Sequence, residues 1–312
     1  MSDHNFWLKI KKPILALAPM AGFSDSAFRQ ITSAYGADVV YSEMASVTAL
    51  FYNKQATLDL LRFNKKKEKN YVVQLFGSNP EHFAVAAKIV TEEIKPSGID
   101  INFGCPVGKV IKQGAGAELM SNLTQAHAVV AAVCANTKLP ISVKIRAKSG
   151  QVSALDFLKA ISDLPVVVVM IHGRSVKQGF SGEIDYNLIK EARQYFSGII
   201  LANGGINNLT EAKKTLELSQ ADGLGLARGV LGRPWLFREI KKNKVTDLDI
   251  KAVAKIILHQ AKMVERLKGQ GAIIELRKHL CWYVQGLNGA SAYRSQLVKA
   301  ESYQDIKNIF KF

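Results

Sequence analysis

Cysteine is scarce in this chain of 312 residues, which contains only Cys105, Cys134 and Cys281. The three are odd in number, widely spaced and never in a Cys-x-x-Cys pair, so they predict neither a disulfide framework nor a metal site. Such sparse usage is typical of a reducing compartment, and we expect the protein to be cytoplasmic. Cys134 and Cys281 have apolar neighbours and are interpreted as small buried hydrophobes.

Long apolar segments are also missing. No run approaches the roughly 18–20 residues that span a bilayer, so we expect no membrane association. Residues 1–12 contain no apolar stretch followed by a small-residue cleavage site, which argues against a secretory signal. The chain is nevertheless 48% hydrophobic and 22% charged, which excludes a disordered or fibrous protein and predicts a sizeable buried core.

Acidic residues are few relative to basic ones. The chain contains 42 Lys and Arg but only 26 Asp and Glu, which gives a formal net charge of +16. Lysine and arginine side chains neutralise phosphates, so this excess favours a polyanionic partner such as a nucleic acid. Only 11 of the basic residues are arginines, and a compositional bias toward surface lysine is the alternative explanation.

Short β-branched runs alternate with longer amphipathic runs along most of the chain. The predicted strands are Ile14–Ala18, Val39–Ser42, Tyr71–Leu75, Ile99–Asn102, Ile141–Ile145, Val166–Ile171, Ile199–Ala202 and Asp222–Leu226. Eight successive βα units predict parallel strands that close into a TIM (β/α)8 barrel. An open doubly wound sheet is the alternative, but it would carry a Gly-x-Gly-x-x-Gly turn after its first strand, where residues 18–22 read Ala-Pro-Met-Ala-Gly.

The alternation stops near Val245. Residues 245–312 show only helical periodicity, over Ala252–Leu267, Ile273–Val284 and Ser302–Phe310. This stretch contains 11 basic and 6 acidic residues, a net charge of +5. We therefore predict a barrel over residues 1–244 and an all-helical domain over residues 245–312.

Polar residues, or residues such as proline and glycine that interrupt a strand, follow nearly every predicted strand. They are Pro19, Met20, Glu43, Gln74, Asn102 to Cys105, Lys144, Arg146, His172, Arg174, Asn203, Gly204, Gly205 and Arg228. Barrel enzymes place their chemistry at the carboxyl ends of the strands, so these residues predict one shared site. A lysine such as Lys144 at the end of an apolar strand is costly unless it meets an anion or a polar cofactor.

Glycines after the last two strands predict a phosphate site. The segments are Asn203-Gly204-Gly205 and Ala227-Arg228-Gly229, and barrels commonly bind phosphate there through backbone N–H groups and a helix N-terminus. Arg228 would add a charge-assisted contact. Glycines that serve only tight turns are the alternative.

Several of these segments together resemble the bacterial tRNA-dihydrouridine synthase family. The similarity lies in residues 18–22, Phe28-Arg29, residues 100–106 (Asp-Ile-Asn-Phe-Gly-Cys-Pro), Lys144-Ile145-Arg146, residues 171–174, Ala202-Asn203-Gly204 and residues 232–240. Arg277-Lys278-His279 before Trp282-Tyr283 is similar to the C-terminal domain of the B-type branch. The resemblance covers almost the whole chain and implies a flavin barrel followed by a helical tRNA-binding domain.

The resemblance also implies roles for particular residues. It implies that FMN contacts Pro19, Met20, Ala21, Gln74, Lys144, His172, Asn203, Gly204, Gly205, Ala227 and Arg228, with the last five at the phosphate. Cys105 matches the family's proton donor, and Asn102, Arg277 and Lys278 are expected to contact the RNA substrate. Gly205 stands where the family usually has an acidic residue and Ala227 where it has glycine. We expect FMN to bind all the same, because both positions chiefly supply backbone N–H groups.

The implied reaction is reduction of uridine to 5,6-dihydrouridine in the D-loop of tRNA, with NADPH as electron donor. Reduction of the C5–C6 bond needs a hydride, which reduced FMN supplies, and a proton, which a thiol such as Cys105 supplies. We expect no metal and a monomeric enzyme. One alternative is an FMN barrel dehydrogenase acting on a free pyrimidine such as dihydroorotate. Another is an RNA-binding protein on an inactive barrel.

Overall fold

The computed structural model describes residues 5–311. Its central feature is a ring of eight parallel strands, which confirms the predicted barrel, and each strand end lies within one residue of its predicted position. The strands are β1 (Ile14–Leu17), β2 (Val39–Tyr41), β3 (Tyr71–Phe76), β4 (Gly98–Asn102), β5 (Ile141–Arg146), β6 (Val166–His172), β7 (Ile199–Asn203) and β8 (Gly223–Leu226).

Neighbouring strands pair in chain order, and β1 closes the ring by pairing with β8, where Ile14 lies opposite Gly223. Pairing of β2 with β3 completes the sheet on the other side. Three short strands accompany the barrel: Ala45–Ser46 runs parallel to β3, and Lys148–Ser149 pairs antiparallel with Val152–Ser153.

Side chains alternate between the inside of the barrel and the surrounding helices, as the two-residue period of a strand requires. One buried cluster fills the lower interior and includes Ala16, Tyr41, Val72 and Met170, with Trp7 packed against it from a short 3-10 helix (Phe6–Lys9). The intervening residues face outward into a second cluster beneath the helices. The interior is therefore a packed core, and most of the polar residues that enter it lie toward the carboxyl ends of the strands.

Helices follow the strands and return the chain to the start of the next one. Asp25 caps the first of them by accepting a hydrogen bond from Phe28 N, and Asn79 caps another immediately before Pro80. The helices outside the barrel are α1 (Ser26–Ala34), α2 (Val47–Tyr52), α3 (Gln55–Leu61), α4 (Pro80–Ile89), α5 (Gly108–Ile111), α6 (Ala117–Ser121), α7 (Leu123–Ala135), α8 (Ala154–Ala160), α9 (Tyr186–Glu191), α10 (Leu209–Ser219) and α11 (Leu236–Lys242).

Four further helices form the C-terminal region: α12 (Ile250–Lys268), α13 (Ile273–Tyr283), α14 (Ala290–Leu297) and α15 (Tyr303–Ile309). Helix α14 is absent from the sequence-based prediction. The buried cluster of these helices also contains Ala27, Ile31 and Trp235 of the preceding region, so the helices pack directly on α1. Lys268 at the end of α12 pairs with Asp25 at the start of α1 over 2.9 Å. The division at residue 245 stays a prediction.

Within residues 5–311, none of the helices is both long enough and apolar enough to cross a membrane.

Candidate active site

The carboxyl ends of the strands surround a cavity of about 530 Å³. Among the residues that line it are all eleven predicted cofactor contacts together with the predicted substrate contact Asn102 and the predicted proton donor: Pro19, Met20, Ala21, Gln74, Asn102, Cys105, Lys144, His172, Asn203, Gly204, Gly205, Ala227 and Arg228. Arg277 and Lys278 are not among the lining residues. The fold thus brings thirteen of the fifteen predicted site residues to one place.

Strand periodicity explains why these side chains converge. On β4, Asp100 and Asn102 face inward, and on β5, Ser142, Lys144 and Arg146 do so. The register places Asn102 opposite Lys144 and Arg146 opposite His172. Residues two apart on a strand share a face, so the inward polar residues form layers at the carboxyl end of the barrel.

Glycines in the loops after β7 and β8 are packed too closely to accept a side chain. Gly204 has φ +109°, and a Cβ there would come within 2.5 Å of His172 Cδ2. Gly205 has φ +67°, a conformation that disfavours other residues. A Cβ on Gly229 would lie 1.9 Å from the main-chain oxygen of Ile206. These glycines also line the cavity, so the two loops present backbone to it, an arrangement that can accommodate a phosphate.

Positive charge dominates the wall of the cavity. Lys144, Arg146, Arg174 and Arg228 line it, and no Asp or Glu is among its lining residues. Burial, together with the charge of the neighbouring Arg146, lowers the pKa of Lys144 to about 8. This donor set, with glycine loops beside it, fits an anionic ligand such as the phosphate and ring of a flavin nucleotide.

His172 is buried among the same cations. Burial, followed by the charges of Lys144 and the neighbouring arginines, lowers the pKa of its imidazole to about 2. The ring is therefore neutral at physiological pH and is available as a hydrogen-bond donor and acceptor rather than as a charge.

Lys144 is oriented by Asn203. Its Nζ donates to Asn203 Oδ1 over 3.3 Å, and Asn203 Nδ2 donates in turn to the main-chain oxygen of Gly225 over 2.7 Å. The ammonium group is thereby held at the mouth of the barrel between β5 and β7.

The turn that carries Cys105 is held at both N–H and carbonyl groups. Asn102 Oδ1 accepts from Gly104 N over 3.1 Å and from Cys105 N over 3.0 Å. The Gly104 oxygen accepts from Arg146 Nε over 2.9 Å, and the Cys105 oxygen accepts from Ala117 N over 3.0 Å. Cys105 is half-buried at the cavity wall. A thiol held in this way can present a proton to a bound substrate.

Two aromatic residues at the mouth were not predicted. Phe180 is 57% exposed, lines the cavity and lies beneath Arg228, whose guanidinium carbon is 4.1 Å from the ring centroid. Trp282 of α13 also lines the cavity and is 38% exposed. Trp282 belongs to a segment that carries the family resemblance, but no local pattern predicts that either residue reaches the cavity, because their positions depend on the loop after β6 and on how the C-terminal helices pack.

A buried acid beneath the cavity was also missed. Asp100 is fully buried on β4 and accepts from Gln74 Nε2 and Ser142 Oγ. Its signal is present in the sequence, since it stands two residues before Asn102 and must share the inward face of the strand.

Arg277 and Lys278 lie apart from the cavity wall and differ in their contacts. Arg277 donates to the main-chain oxygens of Ala300 and Lys299 and pairs with Glu301 over 3.6 Å. Lys278 is exposed, with its Nζ 5.1 Å from the centroid of Phe23, a cavity residue. Of the two, Lys278 thus contacts a residue that lines the cavity.

Known proteins are similar to this chain over most of its length. The family model for dihydrouridine synthase matches residues 16–311. The chain is 30% identical over 303 residues to the probable tRNA-dihydrouridine synthase of Aquifex aeolicus, covering 96% of this chain and 95% of that protein. It is 32% identical over 287 residues to tRNA-dihydrouridine synthase B of Pasteurella multocida, covering 89% of this chain and 86% of that protein.

Solved structures with the same fold are more distant. Histamine dehydrogenase from Rhizobium sp. 4-9 superposes with a TM-score of 0.59 at 14% identity, over 81% of this chain and 49% of that chain. This chain thus spans about half the length of histamine dehydrogenase. An old yellow enzyme homologue from Zymomonas mobilis superposes with a TM-score of 0.51 at 14% identity, over 77% of this chain and 91% of that one.

Proposed function

The chain belongs to the dihydrouridine synthase family, and we propose that it reduces uridine to 5,6-dihydrouridine in the D-loop of tRNA. The observation that carries the proposal is a single cavity that combines four cations, no lining carboxylate and the half-buried thiol of Cys105. The phosphate of a flavin nucleotide would pair with the cations, and the Cys105 thiol would supply the proton that the reaction also needs.

FMN is the proposed cofactor and NADPH the proposed electron donor. Gly204, Gly205, Ala227 and Arg228 would hold the phosphate, while Gln74, Lys144 and residues 19–21 would contact the ring. When bound, FMN supplies the hydride that uracil C6 receives. The positive charge of Lys144 would stabilise negative charge that develops on the ring during reduction.

Cys105 is the proposed general acid. Its Sγ would carry the proton that uracil C5 receives, and the hydrogen bonds at Gly104, Cys105 and Ala117 hold the turn in place while the proton moves. A positioned acid of this kind contributes about 10²–10⁴ in rate. Asn102 holds the turn through its amide oxygen, so its amide nitrogen faces Gln74 rather than Cys105.

Residues 245–312 are the proposed tRNA-binding region. The net charge of +5 over this stretch suits an RNA backbone. Trp282 at the cavity mouth and Lys278 beside Phe23 connect this region to the proposed reaction site. The target base must leave the RNA stack to enter the cavity, and contacts to phosphates offset the cost of unstacking. We propose that the enzyme acts as a monomer.

The test uses the purified full-length protein and unmodified tRNA. The supernatant after heat release should contain about one FMN per chain, since the proposed flavin contacts all lie in one cavity. With NADPH, the protein should convert uridine to dihydrouridine in tRNA, detected by mass spectrometry of nuclease fragments that include the D-loop. Reduction of a free pyrimidine without any reaction on tRNA would favour the dehydrogenase alternative. Protein that binds tRNA but carries no flavin would favour the non-enzymatic one.

A further inference from the structure

We propose that Asp100 is a positioning residue that acts through the side-chain amides of Gln74 and Asn102 to set the turn that presents Cys105. Asp100 does not line the cavity and takes no part in the chemistry proposed above. The inference rests on the proposed role of Cys105 as general acid, and it assigns a purpose to the one buried carboxylate beneath the site.

Asp100 lies in an environment that opposes its charge. Its side chain is completely buried one layer below Asn102, with Tyr41 and other core residues around it. Burial raises the pKa of the carboxyl to about 6, although hydrogen bonds from Ser142 and Gln74 and the charge of Lys144 oppose the rise. An apolar residue would cost less here, so stability of the barrel does not explain a carboxylate.

Four hydrogen bonds connect this carboxylate to the Cys105 turn, and we call Asp100, Gln74 and Asn102 the amide chain. Gln74 Nε2 donates to Asp100 Oδ2 over 2.7 Å, and Asn102 Nδ2 donates to Gln74 Oε1 over 2.9 Å. Asn102 Oδ1 then accepts from the N–H groups of Gly104 and Cys105.

The hydrogen bonds of the amide chain run in one direction, and Asp100 determines that direction. An ionised carboxylate only accepts hydrogen bonds, so Gln74 must present its NH2 group to Asp100. Its oxygen then faces Asn102, which must present its own NH2 group, and this leaves the Asn102 oxygen facing the turn. A side-chain amide without such a partner can rotate by 180° and exchange its oxygen and nitrogen.

Rotation of Asn102 would oppose the turn directly. Its NH2 group would then face two backbone N–H donors, and neither Gly104 N nor Cys105 N would keep its acceptor. Arg146 and Ala117 hold only the carbonyl groups of the turn. The orientation of the Asn102 amide therefore holds the two N–H groups of the turn. The carboxylate of Asp100, through Gln74, keeps the amide in that orientation.

The experiment compares two variants with a matched control. Asp100→Leu removes the acceptor with a side chain of similar size, and Asp100→Asn replaces the obligatory acceptor by an amide that accepts in only one orientation. Ser142→Ala is the control and is compared at alkaline pH, where the carboxylate is ionised, because it removes the other hydrogen bond to Asp100 over 2.5 Å but no hydrogen bond of the amide chain. Should Asp100→Leu fail to fold, Asp100→Asn decides the question.

The first readout is independent of catalysis. Alkylation of Cys105 by iodoacetamide is followed by peptide mass mapping over a range of pH, and Cys134 in α7 reports general loosening. We expect the rate of alkylation of Cys105 to change in both Asp100 variants. The alkylation rate of Cys134 in these variants, and both rates in Ser142→Ala, should match those of the wild type.

The second readout compares the half-reactions. Dihydrouridine formation should fall by up to about 10²-fold, the cost of displacing a reacting group by about 1 Å. Flavin reduction by NADPH should fall less than dihydrouridine formation, because Gln74 is only one of several proposed contacts to the ring.

Each contrary result has a distinct meaning. Wild-type alkylation and wild-type dihydrouridine formation in a folded Asp100→Asn protein would overturn the inference. Equal loss of both half-reactions would overturn it as well, because Asp100 would then act through Lys144 and the cofactor. Failure of the wild type to form dihydrouridine would reject the proposed function, while the alkylation comparison would still decide whether Asp100 positions Cys105.

Discussion

The guanidinium of Arg277 donates through Nε to the main-chain oxygen of Ala300 over 2.7 Å, whereas the adjacent Lys278 is exposed. Adjacent helix positions point about 100° apart, so one of the two residues joins α13 to the turn after α14 and the other reaches solvent. Arg277 and Lys278, which were both predicted to contact RNA, therefore have different surroundings. We expect their substitutions to have different effects.

Lys278→Ala should weaken tRNA binding with little change in stability. If its ammonium group contacts one phosphate, the slope of log affinity against log salt should fall by about one unit. Arg277→Ala should instead lower the free energy of unfolding by about 1–3 kcal/mol, because it leaves main-chain oxygens without their charged donor. Salt-dependent tRNA binding and urea unfolding of both variants measure the two effects. An unchanged slope for Lys278→Ala would place the RNA contact elsewhere.

Cys105→Ala should separate the two half-reactions. Reduction of the flavin by NADPH should persist, whereas dihydrouridine formation should fall by about 10²–10⁴ because the general acid is lost. Stopped-flow absorbance of the flavin and mass spectrometry of the tRNA measure the two steps. Cys134→Ala, in α7 and away from the cavity, is the matched control and should retain both activities. Parallel loss of both in Cys105→Ala would identify the thiol as structural.

Gly204→Ala should abolish or greatly weaken flavin binding. The new Cβ would lie 2.5 Å from His172 Cδ2, and the backbone at φ +109° would be strained. The control is Gly271→Ala, because a Cβ there meets nothing within 4 Å and its φ is ordinary. Flavin absorbance of the purified proteins should be lost only in Gly204→Ala. Full flavin content in that variant would contradict the proposed phosphate site.

Unfolding at acidic pH should depend on His279. This side chain is 2% exposed against Phe23 and Phe28, and burial lowers its pKa to about 4 while Asp25 opposes the shift and Lys278 adds to it. A histidine with a lowered folded-state pKa leaves stability unaffected above its unfolded value near 6.5 and reduces it as pH falls from there toward 4. Between pH 7 and 4.5 the loss from this residue should be about 2 kcal/mol.

His279→Phe keeps a ring at this position but cannot titrate. Urea unfolding at several pH values should show a correspondingly shallower decline for the variant than for the wild type. His172 has a lowered pKa as well, so part of the decline should persist in His279→Phe. Identical pH dependence in the two proteins would mean that His279 is protonated in the folded state or is exposed to water.

The order of strands and the residues at their ends could be predicted from the sequence because both depend on local patterns. A short apolar run of three to seven residues that recurs in a βα series is a strand, and parallel strands align their carboxyl ends. Lys144, His172 and Asn203 therefore converge as expected. The same two-residue period also places Asp100 on the inward face, so the sequence contained that signal although the prediction did not use it.

Packing between distant segments decided the rest. Trp282 reaches the cavity only because α12 and α13 pack on α1 and share a buried cluster with Ala27 and Ile31. Arg277 is held by Ala300 because α14 and the turn after it fold back on α13. A periodic pattern shows which face of a helix is apolar but not which surface that face meets. The strands and the composition of the site were therefore determined by the sequence alone, and the placement of the C-terminal helices at its mouth was determined only by tertiary packing.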